Sequence, residues 1–324
     1  MGTETAAVTA ADVERAARHL RDHLQPTPLQ HSPAFSAQAG ARVYLKLELF
    51  QPVRSFKLRG ALNKLMRLAP ERRAAGVITA SAGNHGMGVA YAAMEFGVPA
   101  TVYMPVNANR LKVEAVKRLG ARVEASGGNY NEAYVAAMAE QQRTGATFVH
   151  AYDDPDVVAG QGTIGLELLA DLEELDTVVV PIGGGGLIAG IALYLKARRP
   201  SIRVVGVEPA GADAMQRSLE AGHIVTLDRV STIADGLAAS APGQLTLDLA
   251  RRYVDEVVIV SEDEMVEAIR LLVEWEHLLA EPAGAAATAA LLHHLKPARH
   301  ERVVVLVTGA NVAEEVLARA LKPA

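Results

Sequence analysis

The sequence predicts an α/β protein built on open, mostly parallel sheets flanked by helices. Three observations point there. Short β-branched runs alternate with Ala- and Leu-rich stretches along the chain, which is the pattern of strand–helix–strand units. Several strand-length runs, 178–182 and 303–307 among them, are continuously apolar, as strands buried on both faces of a parallel sheet must be. Half of the 324 residues are hydrophobic and 21% are charged, a composition that supports a packed core and argues against disorder.

In chain order, strands are expected at 42–47, 76–79, 100–104, 122–125, 147–149, 177–182, 203–207, 256–260 and 302–307. Amphipathic segments separate most of them, with helices expected at 110–119, 131–144 and 262–280. Pro and charged residues interrupt the pattern at 69–75 and again at 153–159. The stretch between holds about four short strand–helix units. It is expected to form a small domain, 71–153, inserted into a larger discontinuous one, 1–70 and 154–324, with a cleft between them.

Composition excludes several function classes. There is no cysteine, so disulfides, thiolate nucleophiles and cysteine metal sites are ruled out. A net charge of −5 gives no electrostatic reason to expect a nucleic-acid partner. No uninterrupted apolar run approaches the ~18 residues of a membrane span. Met1 to Ala11 shows no basic region followed by an apolar run, so no signal peptide is expected and the cytoplasm is the default location.

Four loops following expected strands carry residues suited to chemistry. The first is Ser55-Phe56-Lys57-Leu58-Arg59-Gly60-Ala61. A Lys at a helix start meets the positive end of the dipole, and partial burial also disfavours its charged form. Such an amine can form a Schiff base or take a proton; otherwise Lys57 is a solvated surface cation. The second is Ser81-Ala82-Gly83-Asn84-His85-Gly86-Met87-Gly88, before an expected helix at 89–96. Small residues and successive N–H groups there make an anion site fit for a substrate carboxylate, with Asn84 adding an amide; the alternative is a capped structural turn. His85 is either a base or a simple hydrogen-bonding residue.

The third loop, Gly183-Gly184-Gly185-Gly186-Leu187, lies between an apolar strand and an expected helix at 188–196. Four consecutive glycines cost conformational entropy, so something must require that backbone. A phosphate at a helix N-terminus is the leading candidate and tight helix–sheet packing the alternative. No Gly-Lys-Ser/Thr follows, and the spacing is not that of a dinucleotide fingerprint. The fourth is Thr308-Gly309-Ala310-Asn311, where a hydroxyl could meet a ring nitrogen. Ligands collect at the carboxyl ends of parallel strands, so all four loops are expected on one side of the sheet. Together they suit an aromatic aldehyde cofactor that carries a phosphate.

In this order and spacing, the motifs resemble the fold-type II pyridoxal-phosphate enzymes, a tryptophan synthase β-like fold, and within them the threonine/serine dehydratase and serine racemase family. The resemblance covers nearly the whole chain. It begins at Pro26-Thr27-Pro28-Leu29, passes through the Lys57 and Ser81–His85 motifs and Ala159-Gly160-Gln161-Gly162-Thr163, and ends at Thr308–Asn311. It implies pyridoxal 5'-phosphate held on Lys57 as a Schiff base, with Phe56 beside the ring, Asn84 on the ring's phenolic oxygen and Thr308 at the ring nitrogen. Gly183, Gly184, Gly185, Gly186 and Leu187 would bind the phosphate. Ser81, Ala82, Gly83, Asn84 and His85 would bind the substrate carboxylate. The implied reaction is dehydration of L-threonine or L-serine to a 2-oxo acid and ammonia, by a homo-oligomer, most commonly a homodimer.

Departures from the family pattern shape this expectation. Racemases of the family carry a serine where this chain has Ala82, so dehydration is favoured over racemisation. Members with a divalent-cation site place an acid six residues after the equivalent of Glu208; here Ala214 stands there with Asp213 beside it, and no metal is expected. Arg54 replaces a usual glycine, and Thr-Gly-Ala-Asn replaces Ser-Gly-Gly-Asn. Arg54 is either a surface charge or, facing the cleft, a partner for a second substrate carboxylate. The chain ends soon after Thr308, so no C-terminal regulatory domain is expected. The competing readings are a dehydratase for an unusual β-hydroxy amino acid (3-hydroxyaspartate, phenylserine or a hydroxyectoine-derived compound), a racemase, a β-replacement synthase, a non-catalytic cofactor-binding protein, and a nicotinamide-dependent oxidoreductase, which would leave Lys57 unexplained.

Overall fold

The computed structural model describes residues 8–81, 83–108 and 110–322. Its strands are β1 (Leu29–His31), β2 (Arg42–Leu47), β3 (Val77–Ala80), β4 (Ala100–Met104), β5 (Arg122–Ala125), β6 (Thr147–Phe148), β7 (Thr177–Pro181), β8 (Arg203–Pro209), β9 (Glu256–Val260) and β10 (Arg302–Val307). They form a six-stranded sheet in the order β1-β2-β10-β7-β8-β9 and a four-stranded sheet in the order β5-β4-β3-β6. All pairings are parallel except that of β1 with β2. Every expected strand is present within two residues at its ends; only β1, three residues long and largely exposed, has no counterpart among them.

The apolar runs are buried on both sides. In β7 and β10, Val179, Val303, Val305 and Val307 face one core, while Val178, Val180, Val304 and Leu306 face another. On the first face lies the Ala-rich Pro282–His293 helix, nearly all of it buried. On the second lie the Pro155–Asp171 and Gly186–Arg198 helices. These two approach closely because a Cβ on Gly190 would stand 2.3 Å from the Val158 carbonyl oxygen; only glycine permits that spacing.

Two helix boundaries differ from expectation. The stretch expected at 262–280 ends as a helix at Glu276. His277 adopts a left-handed φ of 57°, and its N–H bonds back to Leu272 and Val273 carbonyls. Leu278 then folds back with its N–H on the Leu272 carbonyl, so its apolar side chain continues the helical pattern without belonging to the helix. The helix expected at 89–96 begins five residues earlier, at Asn84. Gly86 and Gly88 read as loop, yet they are helical residues on a crowded face: a Cβ on Gly88 would lie 3.2 Å from the Lys57 carbonyl carbon.

Candidate active site

The four motifs converge, but not at one sheet. Three follow β2, β7 and β10 of the six-stranded sheet, whereas Ser81–His85 follows β3 of the four-stranded sheet. The expectation of a single sheet edge is corrected accordingly: the site lies where the ends of two parallel sheets meet. The Lys57 motif is also not directly at a strand end, since a 3₁₀ turn over Glu48–Phe50 and a short loop separate it from β2.

Lys57 is the first residue of the Lys57–Met66 helix. The Thr308 loop positions it: Phe56 N–H donates to the Thr308 carbonyl at 3.2 Å, and Ser55 and Gly309 form an antiparallel bridge. Its Nζ donates to the Ala151 carbonyl at 3.0 Å and lies 5.2 Å from the Phe56 ring centroid. Burial pushes the amine down to about 8, against the nearby Glu281 charge that pulls it up. A sizeable neutral fraction therefore exists near neutral pH. Two residues further on, Arg59 turns away from the cleft and is 2% exposed. It bonds Glu48 through two contacts of 2.8 Å and Glu167 through contacts of 2.6 and 2.9 Å. Lys46 joins the cluster, 2.7 Å from Glu167. This buried set ties the base of the Lys57 helix to β2 and to the Pro155–Asp171 helix.

Opposite Lys57, Gly183 to Leu187 form a cup. Gly185 takes a φ of 94° and caps the Gly186–Arg198 helix, which has no side-chain cap. The first N–H groups of a helix have no partner within it and attract anions. The cup is also sterically tight, since a Cβ on Gly184 would stand 2.3 Å from the Tyr152 ring. The helix begins at Gly186, two residues before its expected start.

The Asn84–Phe96 helix likewise starts without a side-chain cap, behind Gly83. Ser81 is buried, and its Oγ accepts the Gly83 N–H at 3.1 Å. His85 turns inward, with Nε2 3.0 Å from the Val149 carbonyl. Burial, reinforced by the Lys57 charge, pushes this imidazole down to about 3, so it is neutral. Nε2 then carries the proton that the Val149 carbonyl accepts. Ala82 lies outside the described residues.

Asn84, Phe56, Lys57, the glycine cup and Thr308 line one cleft. Thr308 directly follows β10, and its hydroxyl donates to the Ala283 carbonyl at 3.2 Å. Arg54 has an exposed side chain and a left-handed φ of 57°; its carbonyl accepts the Ala310 N–H at 3.0 Å. That backbone explains why a glycine suits the position. Glu208 accepts the Met215 and Gln216 N–H groups at 2.9 and 2.8 Å, so its carboxyl caps the Ala214–Ala221 helix.

Six cleft residues escaped sequence reasoning: Tyr152, Pro181, Gly236, Leu237, Glu281 and Ala283. Glu281 left a trace, as a lone acid in an apolar stretch directly before Pro282, where a helix begins. Tyr152 and Gly236 sit in loops whose place in the cleft depends on distant chain segments.

The cleft fits a phosphate-bearing aromatic aldehyde. It has a glycine-walled helix N-terminus for the phosphate, a half-buried amine of lowered basicity, and a second uncapped helix start for a carboxylate. Comparison with known proteins agrees. Residues 20–309 match the family described as pyridoxal-phosphate dependent enzyme. The chain is 43% identical over 312 residues to an L-threonine ammonia-lyase of Thermotoga maritima, an alignment spanning 96% of this chain and 78% of that one. The structure of maize serine racemase superposes with a TM-score of 0.93 at 37% identity, covering 97% of both chains. The processed form of threonine deaminase isoform 2 from Solanum lycopersicum superposes with a TM-score of 0.92 at 36% identity, over 96% of this chain and 86% of that one. The protein belongs to the fold-type II pyridoxal-phosphate dependent enzymes.

Proposed function

We propose that the protein is a threonine/serine ammonia-lyase, which removes water from a small β-hydroxy amino acid and releases a 2-oxo acid and ammonia. The observation that carries this reading is Lys57: a half-buried amine, lowered to about 8, that lines the same cleft as the glycine cup and the Asn84 helix start. The ammonia-lyase and deaminase names of similar proteins support the same reaction class.

Each residue then has a task. Lys57 would be the covalent anchor of the cofactor, through Nζ. Gly183, Gly184, Gly185, Gly186 and Leu187 would hold the phosphate with backbone N–H groups. With the cofactor bound, Phe56 would pack beside the ring, Asn84 would donate to the ring oxygen, and the Thr308 hydroxyl would face the ring nitrogen. A neutral hydroxyl does not keep that nitrogen protonated, which suits elimination more than amino-group transfer. Ser81, Ala82, Gly83, Asn84 and His85 hold the substrate carboxylate at the helix N-terminus. The bound cofactor supplies an electron sink that makes the Cα proton acidic. Lys57 Nζ removes that proton and returns one to the departing β-hydroxyl.

The segment 71–153 acts as a small domain carrying the carboxylate loop, while 1–70 and 154–324 form the cofactor domain. All strands of the four-stranded sheet fall between Val77 and Phe148, which supports this division. A homodimer in the cytoplasm extends the same reading. Among the described residues, no helix is long and apolar enough to cross a membrane.

The test is a visible spectrum of the purified protein with pyridoxal phosphate, before and after L-threonine or L-serine, with 2-oxo acid assayed in parallel. A band that shifts while 2-oxobutyrate or pyruvate accumulates supports the reading. A band indifferent to both amino acids moves the substrate to a bulkier or acidic β-hydroxy amino acid. A protein that takes up no cofactor overturns it. The likeness to serine racemase favours a second activity, racemisation of the same substrates, which chiral analysis of the residual amino acid measures.

A further inference from the structure

Glu281 is 1% exposed, lines the cleft and has no place in the reaction above. It precedes the Pro282–His293 helix, and its backbone is pinned: its N–H donates to the Gly309 carbonyl at 3.0 Å, and its carbonyl accepts the Gly284 and Ala285 N–H groups at 2.8 and 2.9 Å. Its Oε1 accepts a hydrogen bond from Asn84 Nδ2. Gly309 makes room for that oxygen, since a Cβ there would stand 2.2 Å from it. Its other oxygen, Oε2, is buried with no protein partner. From the opposite side, Asn311 Nδ2 donates to Asn84 Oδ1 at 2.8 Å and to the Val53 carbonyl at 3.0 Å.

An amide has a donor end and an acceptor end of almost identical shape, so its neighbours alone decide which end faces where. Burial raises the Glu281 carboxyl to about 7; above that pH it is ionised, accepts only, and selects the NH₂ end of Asn84. The Asn311 NH₂ group donates only, and it selects the oxygen end. The two constraints agree, and they leave one N–H of Asn84 unspent. We propose that Glu281 and Asn311 are positioning residues that clamp the Asn84 amide from both ends, so that Asn84 presents an N–H rather than a carbonyl oxygen to the cofactor. This rests on the proposed role of Asn84 at the ring oxygen. The clamp joins the Asn84 helix start to the loops before the Pro282–His293 helix and after β10, so it couples the two sheets at the cofactor.

The test uses full-length protein titrated with pyridoxal phosphate and followed by absorbance. Glu281→Gln keeps the shape but offers Asn84 either a donor or an acceptor, and Asn311→Ala removes the opposite constraint. Each variant is expected to weaken cofactor binding about tenfold, equivalent to about 1.4 kcal/mol, and to shift the pH at which the bound chromophore changes colour. The double variant is expected to lose less than the product of the two single losses, because the clamp fails once either side is gone. Glu281→Asp, which still only accepts, is expected to recover part of the wild-type pH profile. Wild-type affinity and pH profile in both Glu281→Gln and Asn311→Ala would overturn the clamp while leaving the ammonia-lyase reading intact. A wild-type protein with no chromophore would overturn both. If Glu281→Gln does not fold, Asn311→Ala, changed at a half-buried loop residue, decides alone.

Discussion

The proposed chemistry rests on one amine, Lys57, and its surroundings set when that amine is reactive. Burial lowers it to about 8 while the Glu281 charge holds it back. The neutral form captures an aldehyde, so the rate of pyridoxal-phosphate uptake by cofactor-free protein is expected to rise about tenfold per pH unit below 8 and level off above it. Stopped-flow absorbance across pH 6 to 10 checks this, and a flat profile would count against Lys57 as the anchor. Lys57→Ala is expected to capture no cofactor and to lose turnover, with its unfolding midpoint little changed. Ala82 carries a different prediction. Its methyl group cannot donate a proton, whereas a serine there can, so Ala82→Ser is expected to raise D-amino-acid formation relative to 2-oxo acid. An unchanged product ratio by chiral chromatography would remove that position from the account of specificity.

At the scale of elements, the site is assembled from helix beginnings. The Gly186–Arg198 and Asn84–Phe96 helices both start without a side-chain cap, leaving N–H groups for two anions. Glu208, by contrast, satisfies the start of the Ala214–Ala221 helix internally. The glycine cup depends on the space Tyr152 fills. Gly184→Ala would drive a Cβ into that ring and is expected to cost about 1–3 kcal/mol of overpacking, weakening cofactor binding about ten- to hundredfold. Adding Tyr152→Ala is expected to relieve part of this loss. Strictly additive effects in a fluorescence titration would show that the ring does not set the shape of the cup.

Across the whole molecule, the buried cluster of Arg59, Glu48, Glu167 and Lys46 holds the Lys57 helix in place behind the cleft. Burial pushes Glu48 up, but Arg59 beside it pulls harder, so this carboxyl stays below its usual range. A depressed carboxylate stabilises the fold above its unfolded value, and that stability is lost as pH falls through the folded one. Arg59→Met leaves two acids facing each other without their partner and is expected to cost about 3–5 kcal/mol in urea unfolding at neutral pH. Restoring neutrality with Glu48→Gln on the same background is expected to return part of it. A loss below about 1 kcal/mol in the single variant would show that the cluster is better solvated than its burial implies.

Much of this was legible in the amino-acid sequence for a physical reason. Strand position follows from runs such as 303–307, where burial on both faces leaves no room for a polar residue. The Lys57, Ser81, Gly183 and Thr308 motifs stand out because a reactive amine and anion-binding backbone need particular residues next to one another. What the sequence hid is whatever depends on distance through space. The early start of the Asn84 helix was masked by Gly86 and Gly88, which read as loop until the Lys57 backbone is seen against them. Nothing in the motif around Arg59 marks its burial, which two acids from other elements, Glu48 and Glu167, decide. Glu281 meets Asn84 across 197 residues of chain, and no local pattern records such a pairing. The sequence by itself determined the strand–helix alternation and the motifs that converge on the cleft, because these are properties of neighbouring residues. Only the tertiary structure decided which sheet each motif belongs to, which way His85 turns and which side chains clamp Asn84, because those depend on what the fold brings within hydrogen-bonding reach.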